Sequence, residues 1–341
     1  MQPAALSYDY LLSPAFCDID SLELRIRRLI DLKNVLKSVK NMVYLENGAL
    51  EELLENGKYP AEGSFRKNLA QANIEHFTAK DIAKMANSVL QNIRALEEIY
   101  PQRVTEWNEK KFDPQFQNLA PYRAESINRL IEIVSVESQI LQDGISVLHY
   151  CQKNKFDHVS LHGKINYSFP DEGLEFPMDI NASTSIFSDH KLHFANKCGL
   201  SLYSKAISDE EIRFAIYAAS LERGRKLGRD IDSLDFSNVR FSPKFVNSLA
   251  VNQCLPNQQF SGAFLNAVAK ILSNCPVGEL ATFDTSRTSN TPRKMGEYTA
   301  YREHVTKSGL ALRLLFWRKE DGDIILANVG PKKELVIENP N

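Results

Sequence analysis

The chain has 341 residues, of which 43% are hydrophobic and 25% are charged, and its formal net charge is −2. This length allows two or three domains with buried cores, and the balanced charge excludes a globally basic protein, so any nucleic-acid-binding surface must be local. No apolar run approaches the ~20 residues of a membrane-spanning helix, so we expect no membrane partner. The five cysteines are scattered and form no C-x-x-C pair, which is typical of reduced thiols, so we expect a cytoplasmic protein.

Residues 1–154 are predicted to form a helical domain. Apolar residues recur at helical spacing after Asp20-Ser21, as far as Leu45. A capping box at Thr78 begins a second helix that would run to Tyr100, before Pro101. A third helix is expected from Tyr122 through Leu148. These amphipathic helices carry no catalytic motif and would offer an interface for a protein partner.

Residues 155–235 are predicted to be a β-rich region followed by one helix. The stretch 156–203 alternates β-forming and turn residues, which indicates antiparallel strands. Ser208 would cap the helix, with acidic residues in its first turn and Arg223, Arg225 and Lys226 at its end, an order that complements the helix dipole.

The histidines of the β-rich region raise the alternative of a metal-dependent hydrolase. His158 and His162 would share one strand face, whereas His190 and His193 would point to opposite faces. Their spacings do not match the usual zinc patterns, so no metal ligand and no cofactor is predicted. Dinucleotide-binding, Walker, zinc-protease and nucleophile-elbow motifs are also absent from the sequence.

The C-terminal part carries a concentration of positive charge. Between Arg287 and Lys319 the sequence has eight Lys or Arg against two Glu, a local charge of +6. Such charge suits a phosphate backbone. Tyr298, Tyr301, Phe316 and Trp317 lie among these cations and could stack on bases if exposed. A merely solvated basic face is the alternative interpretation.

Residues 236–341 are predicted to form an α+β domain in the order strand, two helices and three antiparallel strands. The first strand is expected at 238–241 and the helices at 243–251 and 260–272. Of the last three strands, the first is expected at 301–307, the second carries Leu312, Leu314 and Phe316 on one face, and the third is expected at 323–329. Asp321-Gly322 is a strong hairpin signal between the last two strands. The fold class predicted for the whole chain is therefore α+β.

This order, with its basic edge, resembles the RelE/ParE-like toxin fold over about residues 236–337. The resemblance is carried by VRFSPKFVNSL, AFLNAVAKILSNCP and the segment from Tyr301 to Leu335. It implies a toxin-like or antiviral-defence protein that cleaves messenger RNA, usually on the ribosome, with basic side chains in place of a metal. ParE-like relatives instead bind a topoisomerase. The sequence departs from the family pattern in two ways. Lys307 and Lys332 stand at the two basic positions, where arginine is commoner, and Val336-Ile337 occupies the place in which the family often has a tyrosine.

Site residues follow from that resemblance and from the charge pattern. By position, Lys307 and Lys332 resemble the family's phosphate-binding cations, and His304 is the residue that could take the proton of a 2′-hydroxyl. These three are the predicted catalytic residues of a metal-independent endoribonuclease. The predicted nucleic-acid-binding residues are Arg293, Lys294, Arg302, Arg313, Arg318 and Lys333.

A second hypothesis is a non-catalytic interaction subunit of a larger assembly. In that case the N-terminal helices would bind the protein partner and the terminal hairpin would be structural. Under the first hypothesis the same helices would bind an antitoxin or another partner that restrains or delivers the toxin-like domain.

Overall fold

A computed structural model describes residues 3–340 except 39–41, 56, 102, 117–118, 143, 152–155, 172, 274–279, 287–290, 308 and 334–335. The chain divides into two compact units, Met1–His190 and Lys191–Asn341. Helices and mixed sheets occur in this part of the chain, which confirms the α+β class. No helix among the described residues is long and apolar enough to cross a membrane.

The first unit is built on a sheet with the strand order β3-β2-β1-β5-β7-β6-β4. Strands β1, β2, β3 and β5 run parallel, and β7 continues this direction beside β5 before β6 and β4 extend the sheet in antiparallel fashion. The elements are β1 (Ala4–Leu6), α1 (Tyr8–Leu11), α2 (Ser13–Phe16), α3 (Leu22–Val35), β2 (Val43–Leu45), α4 (Ala49–Glu55), α5 (Glu62–Ala72), α6 (Ala79–Asn92), β3 (Arg94–Ala95), β4 (Val104–Asp113), α7 (Pro121–Leu141), β5 (Ser146–Leu148), β6 (His158–Phe169) and β7 (Met178–Phe187).

The core of this unit explains why its central strands are short and apolar. All residues of β1, β2 and β5 are buried, as expected for parallel strands covered on both faces. Apolar residues of α7, including Ile127, Ile131 and Val134, pack with Ala5 and Val147 in one cluster.

The structure differs from the predicted helical domain in its strands. The predicted helix starts agree, since α3 begins after Ser21, α6 has the Thr78 capping box and α7 begins at Pro121. The helices end earlier than predicted, and β2, β3 and β5 occupy the segments where the sequence suggested further helix. Two- and three-residue strands are too short to show a period of two, so their apolar residues look like additional helical positions.

In the β-rich region, β6 and β7 form the predicted antiparallel pair from His158↔Ser185 to Ile165↔Met178. His190 and His193 do not lie on a strand, because helix α8 (His190–Ala195) begins directly after Ser188 and Asp189. The prediction that these two histidines point to opposite faces of a strand is therefore wrong.

The second unit places helices against a sheet with the order β10-β11-β12-β13-β8, and β9 also pairs with β11. The predicted strand, two helices and three antiparallel strands are present in this order, with β13 parallel to β8. Two short strands that were not predicted, Ala281–Thr282 and Lys294–Met295, lie between the second helix and the three antiparallel strands. Its elements after α8 are α9 (Gly199–Lys205), α10 (Asp209–Lys226), β8 (Val239–Phe241), α11 (Phe245–Val251), α12 (Ser261–Leu272), β9 (Ala281–Thr282), β10 (Lys294–Met295), β11 (Tyr298–His304), β12 (Leu312–Arg318) and β13 (Ile324–Pro331).

Two local predictions in this unit are also confirmed. The Ser208 side chain caps α10 by accepting a hydrogen bond from the Glu211 N–H at 3.3 Å. The β12–β13 hairpin turns at Asp321-Gly322, where Gly322 has φ +102°, a conformation that favours glycine. The hairpin is closed by the Lys319 N–H, which donates to the carbonyl of Asp323 at 2.9 Å.

Different parts of the chain pack against the two faces of the second sheet. On one face, Lys270 of α12 pairs with Glu303 of β11 at 2.7 Å. The other face carries an apolar cluster in which Ala300, Leu315 and Trp317 pack with Phe283 and Ile337. Because alternate residues of a strand share a face, Arg302 and His304 lie on the same face as Ala300, away from α12.

Candidate functional site

A basic cluster lies at one end of this second face. His304 of β11 is directly opposite Arg313 of β12 in the strand register, and Arg302 lies two residues before His304. Arg302 and Arg313 are therefore diagonal neighbours, which in a sheet places their Cα atoms ~7–8 Å apart. The structure thus brings together one predicted catalytic residue and two predicted nucleic-acid-binding residues.

The two predicted catalytic lysines flank the same end of the sheet. Lys307 lies in the connection between β11 and β12 and is exposed. Lys332 follows β13, where its N–H donates to the carbonyl of Ala311 at 2.7 Å. The Arg313 guanidinium donates to the Lys332 carbonyl at 3.4 Å. Lys332 is therefore held beside the start of β12, next to the arginine that faces His304.

The two arginines of this cluster form no ion pair with a described carboxylate. Among the described residues no carboxylate lies within ion-pair distance of Arg302 or Arg313, and the buried Arg313 Nε has no hydrogen-bond partner. Burial and then the charge of Arg302 lower the pKa of Arg313. Two unpaired guanidinium groups on one face create a positive potential that a bound anion would relieve.

The pKa of His304 is also affected by this positive potential. Burial, followed by the charges of Arg313, Lys307 and Arg302, lowers the pKa of this histidine below its ordinary value of 6.5, and Glu303 partly opposes the shift. The imidazole is thus mainly neutral at pH 7, the form that can accept a proton.

The remaining predicted nucleic-acid-binding residues lie elsewhere on the sheet. Lys294 of β10 is opposite Thr299, which in turn is opposite Arg318. His304 lies five positions after Thr299, so this group is ~17 Å from the cluster along the strand. Arg293 packs on the Phe283 ring at 5.0 Å, and the exposed Lys333 follows Lys332. Arg287 lies outside the described residues.

The aromatic residues do not form an exposed stacking platform. Phe316 and Trp317 are buried, and the Trp317 indole N–H donates to the Glu338 carbonyl at 2.7 Å. Tyr301 stacks on Phe316 with ring centroids 5.7 Å apart. Because these side chains pack within the protein, contact with a nucleic acid at the cluster would be mainly electrostatic.

The described residues contain no group of three His, Cys, Asp or Glu side chains that could hold a metal ion. His158 and His162 are exposed on β6. His190 is buried in the first unit, where its Nε2 donates to the Asp31 carboxylate at 2.8 Å and its Nδ1 contacts the Tyr10 hydroxyl at 2.7 Å.

A second polar site, which the sequence analysis missed, lies in the first unit at the carboxyl edge of the parallel strands. The chain leaves β1 toward β2 and β3 on one side, and β5 and β7 lie on the other side. The carboxyl ends of β1 and β5 therefore form a topological switch point, the usual ligand-binding position in sheets of this kind. Here the Ser7 hydroxyl and His149 Nδ1 are 3.0 Å apart.

Glu46 adds a buried carboxyl group to this edge. One of its oxygens accepts a hydrogen bond from the Tyr8 N–H at 2.7 Å, and the other is 3.5 Å from the Ser126 hydroxyl. Burial raises the pKa of Glu46 to about 8, although the Tyr8 hydrogen bond favours the ionised form. Glu46 is therefore largely a neutral acid at pH 7, and Asp9 beside it is ion-paired with Arg123 at 2.8 Å.

The sequence contained one signal for this edge. Short apolar runs end directly before polar residues in PAALS, VYLEN, SVLHY and SIFSD. Polar residues after several short buried strands are typical of the carboxyl edge of a parallel sheet. The signal was weak because three of these strands have only three residues in the structure.

Comparison with known proteins does not assign the chain to a family. No family model, no curated protein and no solved structure matches it.

Proposed function

We propose that the second unit binds RNA on the face that carries Arg302, His304 and Arg313, and cleaves it without a metal ion. The supporting observation is the pair of arginines that flank a neutral histidine without a carboxylate partner among the described residues. A phosphodiester would supply the missing negative charge, since charge-assisted contacts to phosphate are among the strongest hydrogen bonds in proteins.

The reaction we propose is attack of the RNA 2′-hydroxyl on the adjacent phosphorus. His304 takes the proton of the 2′-hydroxyl as the new O–P bond forms. Arg302, Arg313 and Lys332 stabilise the additional negative charge on the phosphate. The bond from phosphorus to the 5′-oxygen breaks, and Lys307 gives a proton to that leaving oxygen. The products are a 2′,3′-cyclic phosphate and a 5′-hydroxyl.

The resemblance to RelE-like toxins gives this chemistry a biological setting. The element order on which it rests, a strand, two helices and three antiparallel strands, supports the proposal. We infer that the target is messenger RNA, on or off the ribosome, that the effect is inhibition of translation in the cytoplasm, and that a protein partner acts through the first unit.

The proposal is tested with labelled messenger RNA and purified protein in excess EDTA. Wild type should cleave the RNA, and a variant with His304, Lys307 and Lys332 changed to alanine should not. The matched control is Lys205→Ala/Lys226→Ala, which removes cations from α9 and α10. Undiminished cleavage by the triple variant would contradict the assignment, and RNA binding without cleavage would favour the non-catalytic interaction subunit.

A further inference from the structure

A cavity of about 560 Å³ lies in the first unit beside the switch point. His149, Tyr150 and Cys151 line it from the end of β5, and Ile186 and Ser188 from the end of β7. Its volume lies within the range of ~300–1,000 Å³ that is usual for small-molecule sites. Its lining residues belong to the first unit, and nothing in the proposed function uses it.

Two buried nitrogen donors in residues that line this cavity, His149 Nε2 and Arg25 Nε, lack hydrogen-bond partners among the described residues. Arg25 is held in place, because its Nη1 donates to the Ser188 carbonyl at 2.9 Å and its guanidinium lies 4.2 Å from the centre of the Tyr150 ring. His149 is only 2% exposed. Buried polar atoms without partners are uncommon in native proteins and need an explanation, for which a bound ligand is one.

The hydrogen bond to Ser7 determines what His149 can offer a ligand. The Ser7 oxygen accepts the Tyr10 N–H at 3.3 Å, and its own hydrogen can be donated to His149 Nδ1, 3.0 Å away. The ring hydrogen then lies on Nε2. Burial lowers the pKa of His149 to about 3, so the ring stays neutral and Nε2 acts as a donor at physiological pH.

Aromatic rings form another part of the cavity wall. Phe116 contacts the edge of His149 with ring centroids 5.4 Å apart, and it contacts Phe156 at 5.0 Å. Together with Tyr150 these rings can pack against a flat heterocycle. The lining also contains two acidic residues, Asp18 and the exposed Asp157, and an acidic residue is a common acceptor for ribose hydroxyls.

We propose that this cavity binds a nucleoside monophosphate. The base would pack among Phe116, Phe156 and Tyr150, Asp157 would accept from the ribose, and Arg25 and His149 Nε2 would donate to the phosphate or to the base edge. The aromatic wall favours a heterocycle over a simple anion, and Arg25 favours a phosphorylated nucleoside over a free one.

The test is isothermal titration of the full chain with AMP, GMP, CMP and UMP, and with the corresponding nucleosides. At least one nucleotide should bind once per chain, and its nucleoside should bind at least ~10-fold more weakly. Arg25→Met should weaken nucleotide binding by a similar factor. Arg27→Met is the matched control, because Arg27 is an exposed arginine on the same helix that pairs with Glu23 at 2.6 Å.

A second variant keeps the test independent of any effect of Arg25 on folding. His149→Phe keeps an aromatic ring and removes the Nε2 donor, and circular dichroism would verify that both variants fold. The His149→Phe variant should also bind this nucleotide more weakly than wild type does. The inference is overturned if no nucleotide binds with a Kd below ~1 mM, if the nucleoside binds as tightly as the nucleotide, or if folded Arg25→Met binds like wild type. None of these outcomes bears on RNA cleavage by the second unit.

Discussion

Removal of the two unpaired guanidinium groups should change the salt dependence of RNA binding in a calculable way. In the double variant Arg302→Gln/Arg313→Gln the strand positions remain polar, and the Arg313 contact to the Lys332 carbonyl is the one hydrogen bond of these side chains that the described residues show. Each cation that contacts a phosphate of single-stranded RNA contributes ~0.7 to the slope of log affinity against log salt. The loss of two such contacts should make the slope shallower by ~1.4.

This difference in slope is large enough to measure. Between 50 and 200 mM salt, a fourfold increase, the affinity advantage of wild type over the double variant should shrink about sevenfold. Fluorescence anisotropy with a labelled single-stranded RNA, at four or five salt concentrations, gives both slopes. The charge-matched control Lys205→Gln/Lys226→Gln removes two cations from α9 and α10, where Lys226 pairs with Glu222 at 2.5 Å.

Two results would refute the reasoning. If the double variant kept the wild-type slope, these arginines would not contact phosphate. If the slope of log affinity against log salt became as shallow in the control variant as in the double variant, RNA binding would depend on the net charge of the chain and not on the basic face.

Three further predictions concern individual titrating groups. Because the pKa of His304 is lowered below 6.5, the cleavage rate should rise with pH and reach half of its plateau value below pH 6.5, and a half-plateau point above pH 7.5 would exclude His304 as the base. The pKa of His149 falls from 6.5 to about 3 on folding, so the unfolded chain binds the proton first. Relative to His149→Gln, the free energy of unfolding of wild type should therefore decrease as the pH is lowered from 6.5 toward 3, by up to about 1.4 kcal/mol per pH unit in urea denaturation. The pKa of Glu46 is raised from 4.5 to about 8, so its contribution is present at low pH and is lost as the pH rises through this window. Glu46→Gln should remove that pH dependence and keep the acceptor for the Tyr8 N–H, whereas Glu46→Ala should cost about 1–3 kcal/mol because the N–H loses its partner.

The sequence predicted the second unit better than the first. In 236–341 the last three strands have seven or eight residues, the turn contains Asp-Gly, and each helix has its own apolar face. Such elements are determined locally, and Arg302 and His304 could be placed on one face from alternation alone. Their proximity to Arg313 depends on the register between β11 and β12, in which His304 is opposite Arg313.

The site of the first unit could not be predicted in the same way. Ser7 and His149 are 142 positions apart in the sequence, and Glu46 belongs to a third segment. They meet because β1, β2 and β5 pair in parallel, an arrangement that depends on long-range contacts. Only the structure shows that these polar residues lie at one edge of a sheet.

The central proposal is cleavage of RNA by its own 2′-hydroxyl on the basic face of the second unit. End-group analysis of the products that wild type forms in EDTA tests this most directly. The account predicts a 2′,3′-cyclic phosphate and a 5′-hydroxyl, and no cleavage of the same RNA when a 2′-deoxynucleotide occupies the cleavage position. Products with a 5′-phosphate and a 3′-hydroxyl, or cleavage at the deoxy position, would contradict it.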